Sequence, residues 1–416
     1  MNAPAQDRVH VPTRGYGPLA LLGSFFHRQI DRLDRGITDG RLEVFTPDGQ
    51  VRLLGSGAAG PAAVVTLHSW RALVRLATGG SSGWYEAWDK GEWSSPDPVQ
   101  LFALFSRNRA GLAAQARSRG LSLLPRRLMH WMRRNHRGGS RKNIAFHYDL
   151  GNDFYAPWLD PGMSYSSAIF RDAEESLEAA QDTKLQAVLD RTGTQPGDTI
   201  LEIGCGWGSF AERALRQGRK LHGITLSTEQ KAWAEARTAG MEGASFSLTD
   251  YRDVTGQYDA IASIEMAEAV GREYWPAYVS AIAKALKPAG RAALQVITFD
   301  DAMFEGYARN VDFIQTYVFP GGMLLKESEF RALAEADGLE WRDVHAFGLD
   351  YAETLRRWRE RFDAAAAAGL LPAQFDDRFV RLWRYYLMYC EGGFRGGGID
   401  VIQVTLVKNS GVKNGG

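Results

Sequence analysis

Cysteine is nearly missing from this chain: among 416 residues only Cys205 and Cys390 occur. Two thiols so far apart in sequence cannot build a disulfide framework, and their scarcity matches a reducing compartment. Net charge is missing as well, because 49 basic and 49 acidic side chains cancel. Global charge therefore gives no attraction to nucleic acid, and any pull toward an anionic partner has to come from a local patch. No apolar run reaches the length that spans a bilayer, and residues 1–8 lack the basic start and apolar core of a secretory signal. The expectation is a cytoplasmic chain, soluble or peripheral to a membrane. Apolar side chains, by contrast, are plentiful: at 45% of the residues they can fill two ordinary cores.

Before residue 100 short alternating stretches dominate. Leu42, Val44 and Thr46 lead into the turn Pro47-Asp48-Gly49, after which Val51 and Leu53 resume the alternation of a β-hairpin. A third strand is expected over residues 62–68, then a helix over residues 70–77 stopped by Gly79 and Gly80. Trp84, Tyr85, Trp88 and Trp93 follow in a short polar segment. Together these predict a small α+β domain over residues 1–124. In residues 125–142, Arg126, Arg127, Arg133, Arg134, Arg137, Arg141 and Lys142 surround Leu128, Met129, Trp131 and Met132. Two readings stand: a solvated linker helix, or a membrane contact with arginines on anionic headgroups and Trp131 at the interface. Beyond Asp198, strands are expected over residues 199–203, 221–226, 245–248, 260–264 and 292–298, with helices between several of them. That alternation predicts an α/β domain with a mainly parallel sheet and helices on both faces, over residues 143–416.

Ligands of such sheets bind beyond the carboxyl ends of the strands. There the chain reads Leu201-Glu202-Ile203-Gly204-Cys205-Gly206-Trp207-Gly208-Ser209-Phe210, an apolar strand closed by three alternate glycines. Missing Cβ atoms let backbone approach a nucleotide-like ligand closely. A dinucleotide fingerprint would place its last two glycines three apart, so this spacing, with Trp207 inserted, disfavours a pyrophosphate. The next strand runs into Thr225-Leu226-Ser227-Thr228-Glu229-Gln230, with hydroxyls and a carboxamide suited to a ribose. Asp250 and Tyr251 follow the third strand with a carboxylate and an aromatic face suited to an adenine.

With these segments in place, the chain resembles the S-adenosylmethionine-dependent cyclopropane fatty acid synthase and mycolic acid cyclopropane synthase family. The resemblance covers residues 143–406. It is carried by Ala145-Phe146-His147-Tyr148-Asp149-Leu150-Gly151-Asn152-Asp153-Phe154-Tyr155, by Met163-Ser164-Tyr165-Ser166-Ser167-Ala168, by Glu265-Met266-Ala267-Glu268-Ala269-Val270-Gly271, and by Tyr317-Val318-Phe319-Pro320-Gly321-Gly322 and Tyr385-Tyr386-Leu387-Met388-Tyr389-Cys390. The family fold it implies is a Rossmann-like class I methyltransferase domain with a seven-stranded sheet. It implies that Tyr148, Tyr165 and Ser166 cover the cofactor, with Glu202, Gly204, Gly206 and Gly208 at its methionine part. Thr225, Leu226, Ser227 and Gln230 would hold the ribose region, and Asp250 and Tyr251 the adenine.

The implied reaction moves a methyl from S-adenosylmethionine to the C=C bond of an unsaturated acyl chain in phospholipid. Aromatic walls suit it, because they exclude water and stabilise a cation by about 0.5–2 kcal/mol each. Phe146, Phe170, Tyr317, Phe319 and Phe394 are the expected substrate wall, with Tyr165 and Tyr351 beside them. A base must then take a proton, in the family a bound bicarbonate. The resemblance puts Glu268 on the family's pocket carboxylate, although Glu265 fits the helix-start reading equally, and puts Tyr351 on its pocket tyrosine. Ile297 and Cys390 also match the pocket. Gln295 stands where many members carry histidine, and Ser167 where many carry cysteine. Glutamine cannot carry a proton charge, so the product stays open between a cyclopropane and a methyl- or methylene-branched chain. Expected partners are a bilayer surface and unsaturated acyl chains, at the inner face of the membrane; a homodimer stays open. Two alternatives remain: methylation of a small amine, and a non-catalytic lipid-binding protein.

Overall fold

The computed structural model describes residues 23–55, 59–117 and 150–410. It divides into two compact units, Met1–Ser122 and Leu123–Gly416. Residues 125–142, with all the arginines of the basic segment, lie outside the described residues, as do Phe146 and Tyr148.

In the first unit, helix α1 (Gly23–Gly36) precedes strands β1 (Arg41–Phe45), β2 (Val51–Leu54) and β3 (Ala62–Leu67). The hairpin forms as expected, with Phe45 opposite Val51. A short strand β4 (Trp93–Ser94) completes the sheet in the order β2-β1-β3-β4. Ala63, Val65 and Leu67 point inward from β3, as its alternation requires. The double glycine breaks the helix as expected. Helix α2 (Arg71–Asp89) consists of two helical halves that meet at a kink at Gly80, whose φ of 57° and ψ of −141° are not helical. A Cβ at Gly83 would collide with the Arg75 carbonyl, so glycine is what lets the halves meet. The aromatic segment is therefore mostly helix and core. Trp84 stacks on Trp93 at 4.5 Å, and Trp93 Nε1 donates to the Trp84 carbonyl at 2.9 Å. Helix α3 (Pro98–Arg107) starts with Pro98 at its first position and the Asp97 carboxylate accepting from Gln100 N–H. Helix α4 (Arg109–Arg117) follows it.

The second unit is an α/β sandwich around one sheet. After α5 (Leu177–Thr192), strands β5 (Thr199–Ile203), β6 (Lys220–Thr225), β7 (Ala244–Leu248), β8 (Tyr258–Ile264) and β9 (Leu286–Phe299) alternate with α6 (Ser209–Arg216), α7 (Thr228–Arg237) and α8 (Trp275–Ala285). The chain then adds β10 (Leu325–Lys326), α9 (Glu327–Ala336), β11 (Leu339–Ala346), α10 (Gly348–Ala367), α11 (Asp377–Gly396) and β12 (Ile399–Lys408). The sheet order is β11-β12-β9-β8-β5-β6-β7, with two-residue β10 on β9 as an eighth strand. β12 runs antiparallel between β9 and β11, and the rest is parallel. One apolar cluster, around Leu294, Trp275 and Phe330, fills one face; a smaller one, around Val188, Phe210 and Ala262, fills the other. Strand order reverses between β5 and β8, which opens a crevice at their carboxyl ends. No described helix is long and apolar enough to cross a membrane.

Candidate active site

The crevice starts with the glycine turn. Gly204, Gly206 and Gly208 all have positive φ, at 81°, 50° and 85°. A Cβ on Gly204 would lie 2.7 Å from Met266 Cγ, and one on Gly208 would lie 2.9 Å from the Ala234 methyl. Side chains are thus excluded on both sides of the turn. Under it Glu202 is buried, and its Oε2 has no protein partner. Burial pushes this carboxyl well above its ordinary range, with Lys184 partly offsetting it. An orphaned buried carboxylate below a cradle without Cβ atoms fits a cationic, nucleotide-like ligand such as S-adenosylmethionine. Thr225 Oγ1 donates to Gln230 Oε1 at 2.9 Å, while Ser227 caps α7 through Gln230 N–H at 3.3 Å. Leu226 lies between them. Asp250 and Tyr251, expected at the adenine, have protein partners as well. Asp250 Oδ1 accepts from Arg252 Nε at 2.8 Å, and the Tyr251 ring meets Tyr278 edge-on at 5.2 Å.

Next to the turn lies an aromatic box. Tyr165 stacks on Trp358 at 5.2 Å, meets Trp158 edge-on, and shares a 3.0 Å hydroxyl hydrogen bond with Tyr386. Trp358 lies 6.1 Å from Tyr351, and Tyr351 lies 4.6 Å from Phe394. Phe319 joins the wall through Tyr386 at 6.1 Å. Two of the expected wall residues face protein elsewhere: Phe170 lies under the Arg357 guanidinium at 4.5 Å, and Tyr317 packs on Phe313. Cys390 is partly buried, and burial raises its thiol far above the range of a nucleophile.

Four elements converge on one carboxylate. Glu265 Oε1 accepts from Ser167 N–H at 2.9 Å and from Gln295 Nε2 at 2.8 Å, and its Oε2 accepts from the Tyr351 hydroxyl at 2.8 Å. Ser167 acts here through its backbone, since its Oγ donates to the Ala168 carbonyl. Burial raises the Glu265 carboxyl, while the three donors and the charge of Lys184 hold it down. Glu265 also has φ 49°, a left-handed conformation that costs a residue with a side chain about 1 kcal/mol or more. Such strain persists where the surroundings impose it, and here the Glu265 N–H is tied to the Gln295 carbonyl at 2.7 Å. Glu268, the carboxylate picked out by the resemblance, accepts from Ile297 N–H and leaves its buried Oε2 without a partner. Burial and, next, the neighbouring Glu265 push Glu268 up to about 8. Lys184, absent from the sequence reading, is fully buried and donates to Ser166 Oγ at 2.6 Å. Burial draws its ammonium down to about 8 against the pull of Glu265, Asp160 and Glu202.

A family model described as mycolic acid cyclopropane synthetase matches residues 136–404. The chain belongs to that family. As a family member it is an S-adenosylmethionine-dependent methyltransferase, which the glycine cradle and Glu202 accommodate. It is 37% identical to the tuberculostearic acid methyltransferase of Mycobacterium tuberculosis, covering 94% of this chain and 93% of that protein. It is 38% identical to the cyclopropane-fatty-acyl-phospholipid synthase of Escherichia coli K12, over 65% of this chain and 68% of that one. A crystal structure of a mycolic acid cyclopropane synthase complexed with SAH and CTAB superposes with a TM-score of 0.60 and 31% identity, over 64% of this chain and 98% of that one.

Proposed function

We propose that this family member methylates the C=C bond of an unsaturated acyl chain carried in phospholipid, with Glu265 as the base that removes the proton afterwards. The observation that carries the reading is the strained Glu265 carboxylate, held by three donors beside the aromatic wall. When bound, S-adenosylmethionine supplies a methyl on a cationic sulfur, an electrophile an isolated alkene can attack. Glu202 would hold its amino-acid end and the glycine turn its backbone-facing side.

The alkene π pair forms the new C–C bond and leaves positive charge on the acyl chain. Tyr165, Trp358 and Phe394 exclude water, and their π faces stabilise that charge. Glu265 then accepts the proton whose C–H pair quenches it, either closing a cyclopropane or leaving an unsaturated methyl branch. The donors Ser167 N–H, Gln295 and Tyr351 keep Glu265 anionic until that step. The same donors would otherwise suit a bound bicarbonate, and with Glu265 on them a second anion is repelled; we therefore assign the base to the protein. The branched product is favoured, because the relative aligned over nearly the whole chain is named a methyltransferase of tuberculostearic acid.

Residues 143–416 form the methyltransferase domain in this reading. Residues 1–124 engage lipid, and the arginines of residues 125–142 draw the enzyme to an anionic bilayer face inside the cell. Labelled S-adenosylmethionine incubated with oleoyl phosphatidylethanolamine and phosphatidylglycerol vesicles should place label in the acyl chains without added bicarbonate. Proton spectra of the product should lack cyclopropane signals. Label in soluble amines and none in lipid would overturn the reading.

A further inference from the structure

The Glu265 carboxylate is the end of a longer buried chain. Gln295 on β9 and Gln403 on β12 face each other in the antiparallel register, and neither is exposed. Gln295 Nε2 donates to Glu265 Oε1 and, at 3.2 Å, to the Ser167 carbonyl. Gln295 Oε1 accepts from Gln403 Nε2 at 3.0 Å, and the same nitrogen reaches the Lys184 carbonyl at 3.4 Å. Gln403 Oε1 in turn accepts from Arg191 Nε at 3.1 Å. Arg191, at the end of α5, also donates to the Asp343 carbonyl at 2.5 Å and to Thr405 Oγ1 at 3.4 Å.

The two ends of a carboxamide are nearly the same size, so its partners decide which way it points. A guanidinium has donors only and stays charged at any working pH. It can satisfy Gln403 only through Oε1, which turns Gln403 Nε2 to Gln295 Oε1, which leaves Gln295 Nε2 for Glu265. We propose that Arg191 and Gln403 are positioning residues of this site, setting the direction of the amide chain so that Gln295 turns its N–H, and not its oxygen, to Glu265. The Ser167 and Lys184 carbonyls favour the same direction at longer distances, and without the donor-only terminus a fraction of Gln295 turns an oxygen lone pair to the carboxylate. The base would then be protonated at a higher pH.

The other groups that face Glu265 are the Lys184 ammonium from α5, the Tyr351 hydroxyl from α10 and the Glu268 carboxyl from the turn at residues 267–269. Asp343 faces Arg191. The Arg191 and Gln403 substitutions leave these four side chains in place, and Gln403→Met changes no charge, so a shift in that variant belongs to the amide chain.

The inference rests on Glu265 being the base, and its test is built to separate the two. Infrared difference spectra of the full chain against Glu265→Gln isolate the Glu265 carboxyl stretch, and its pH titration needs no substrate. The midpoint is expected to rise by about one pH unit in Arg191→Met and in Gln403→Met, and to stay near wild type in Arg191→Lys, which keeps a donor-only end. The acid limb of kcat/KM on oleoyl phosphatidylglycerol vesicles should move with it, a tenfold lower rate at a fixed pH below the limb. An unmoved midpoint in folded Arg191→Met overturns the proposal whether or not Gln403→Met folds, and leaves the base assignment standing. A moved midpoint together with full activity of Glu265→Gln upholds the amide chain and overturns the base.

Discussion

Glu265 holds a backbone conformation that favours glycine, and three donors fix its carboxylate in place. Each donor holds its charge, so removing one has a signed effect. Tyr351→Phe deletes the donor to Oε2 and raises the carboxyl further. In the proposed mechanism Glu265 works ionised, so the acid limb of kcat/KM should then move to higher pH, by about one unit for the loss of an ordinary bond to a charged group. A pH profile on vesicle substrate reads this directly. Glu268 has the opposite consequence for stability. Its folded-state value of about 8 lies above the ordinary 4.5, so its contribution is complete below the unfolded value and is lost as pH rises through about 8. Across that window stability should fall by at most about 1.4 kcal/mol per pH unit from this group. Glu268→Gln should flatten the slope in urea unfolding followed across that window.

Among the elements, the glycine turn abuts the Glu265 turn, since Gly204 lies against Met266 and Met266 follows Glu265. Gly204→Ala combines a clash with a strained φ, so it should weaken S-adenosylmethionine binding at least tenfold by calorimetry while the sheet stays folded. The β5 to β9 alternation was legible because β5, β8 and the end of β9 are apolar runs and helical spacing separates β5, β6 and β7, signals that lie within a few residues. The break at Gly80 was legible as well, since a double glycine marks a helix end, but the second helical run that follows it at once, with Gly83 close against the Arg75 carbonyl, was not. The convergence on Glu265 was hidden for a different reason. Nothing in Glu265-Met266-Ala267-Glu268 distinguishes the two carboxylates until the left-handed turn and partners 30 to 98 residues away are known. Gln403 lies 108 residues from Gln295, and no local pattern pairs them. Lys184 reads from sequence as one more polar helix position, and only its complete burial gives it away.

For the whole molecule, the two units present different tests. The first has its own aromatic core, and Trp93→Ala should destabilise it by about 3–5 kcal/mol, seen as protease cleavage within residues 23–117 before the second unit opens. The membrane part of the account rests on charge in residues 125–142. Cosedimentation with anionic vesicles should fall as salt rises, and replacing Arg133 and Arg134 by glutamate should weaken it by about 1 kcal/mol or more per residue. Neutral vesicles should show neither effect.

In the proposed mechanism a buried glutamate, rather than a borrowed anion, takes the proton from a methylated acyl chain. The most direct measurement is the rate of labelled methyl transfer by Glu265→Gln at saturating S-adenosylmethionine in carbonate-free buffer. A loss of about 100-fold or more is expected, with cofactor binding unchanged. A variant within a few-fold of wild type, or one restored by added bicarbonate to the level of a wild type that itself needs bicarbonate, would contradict it.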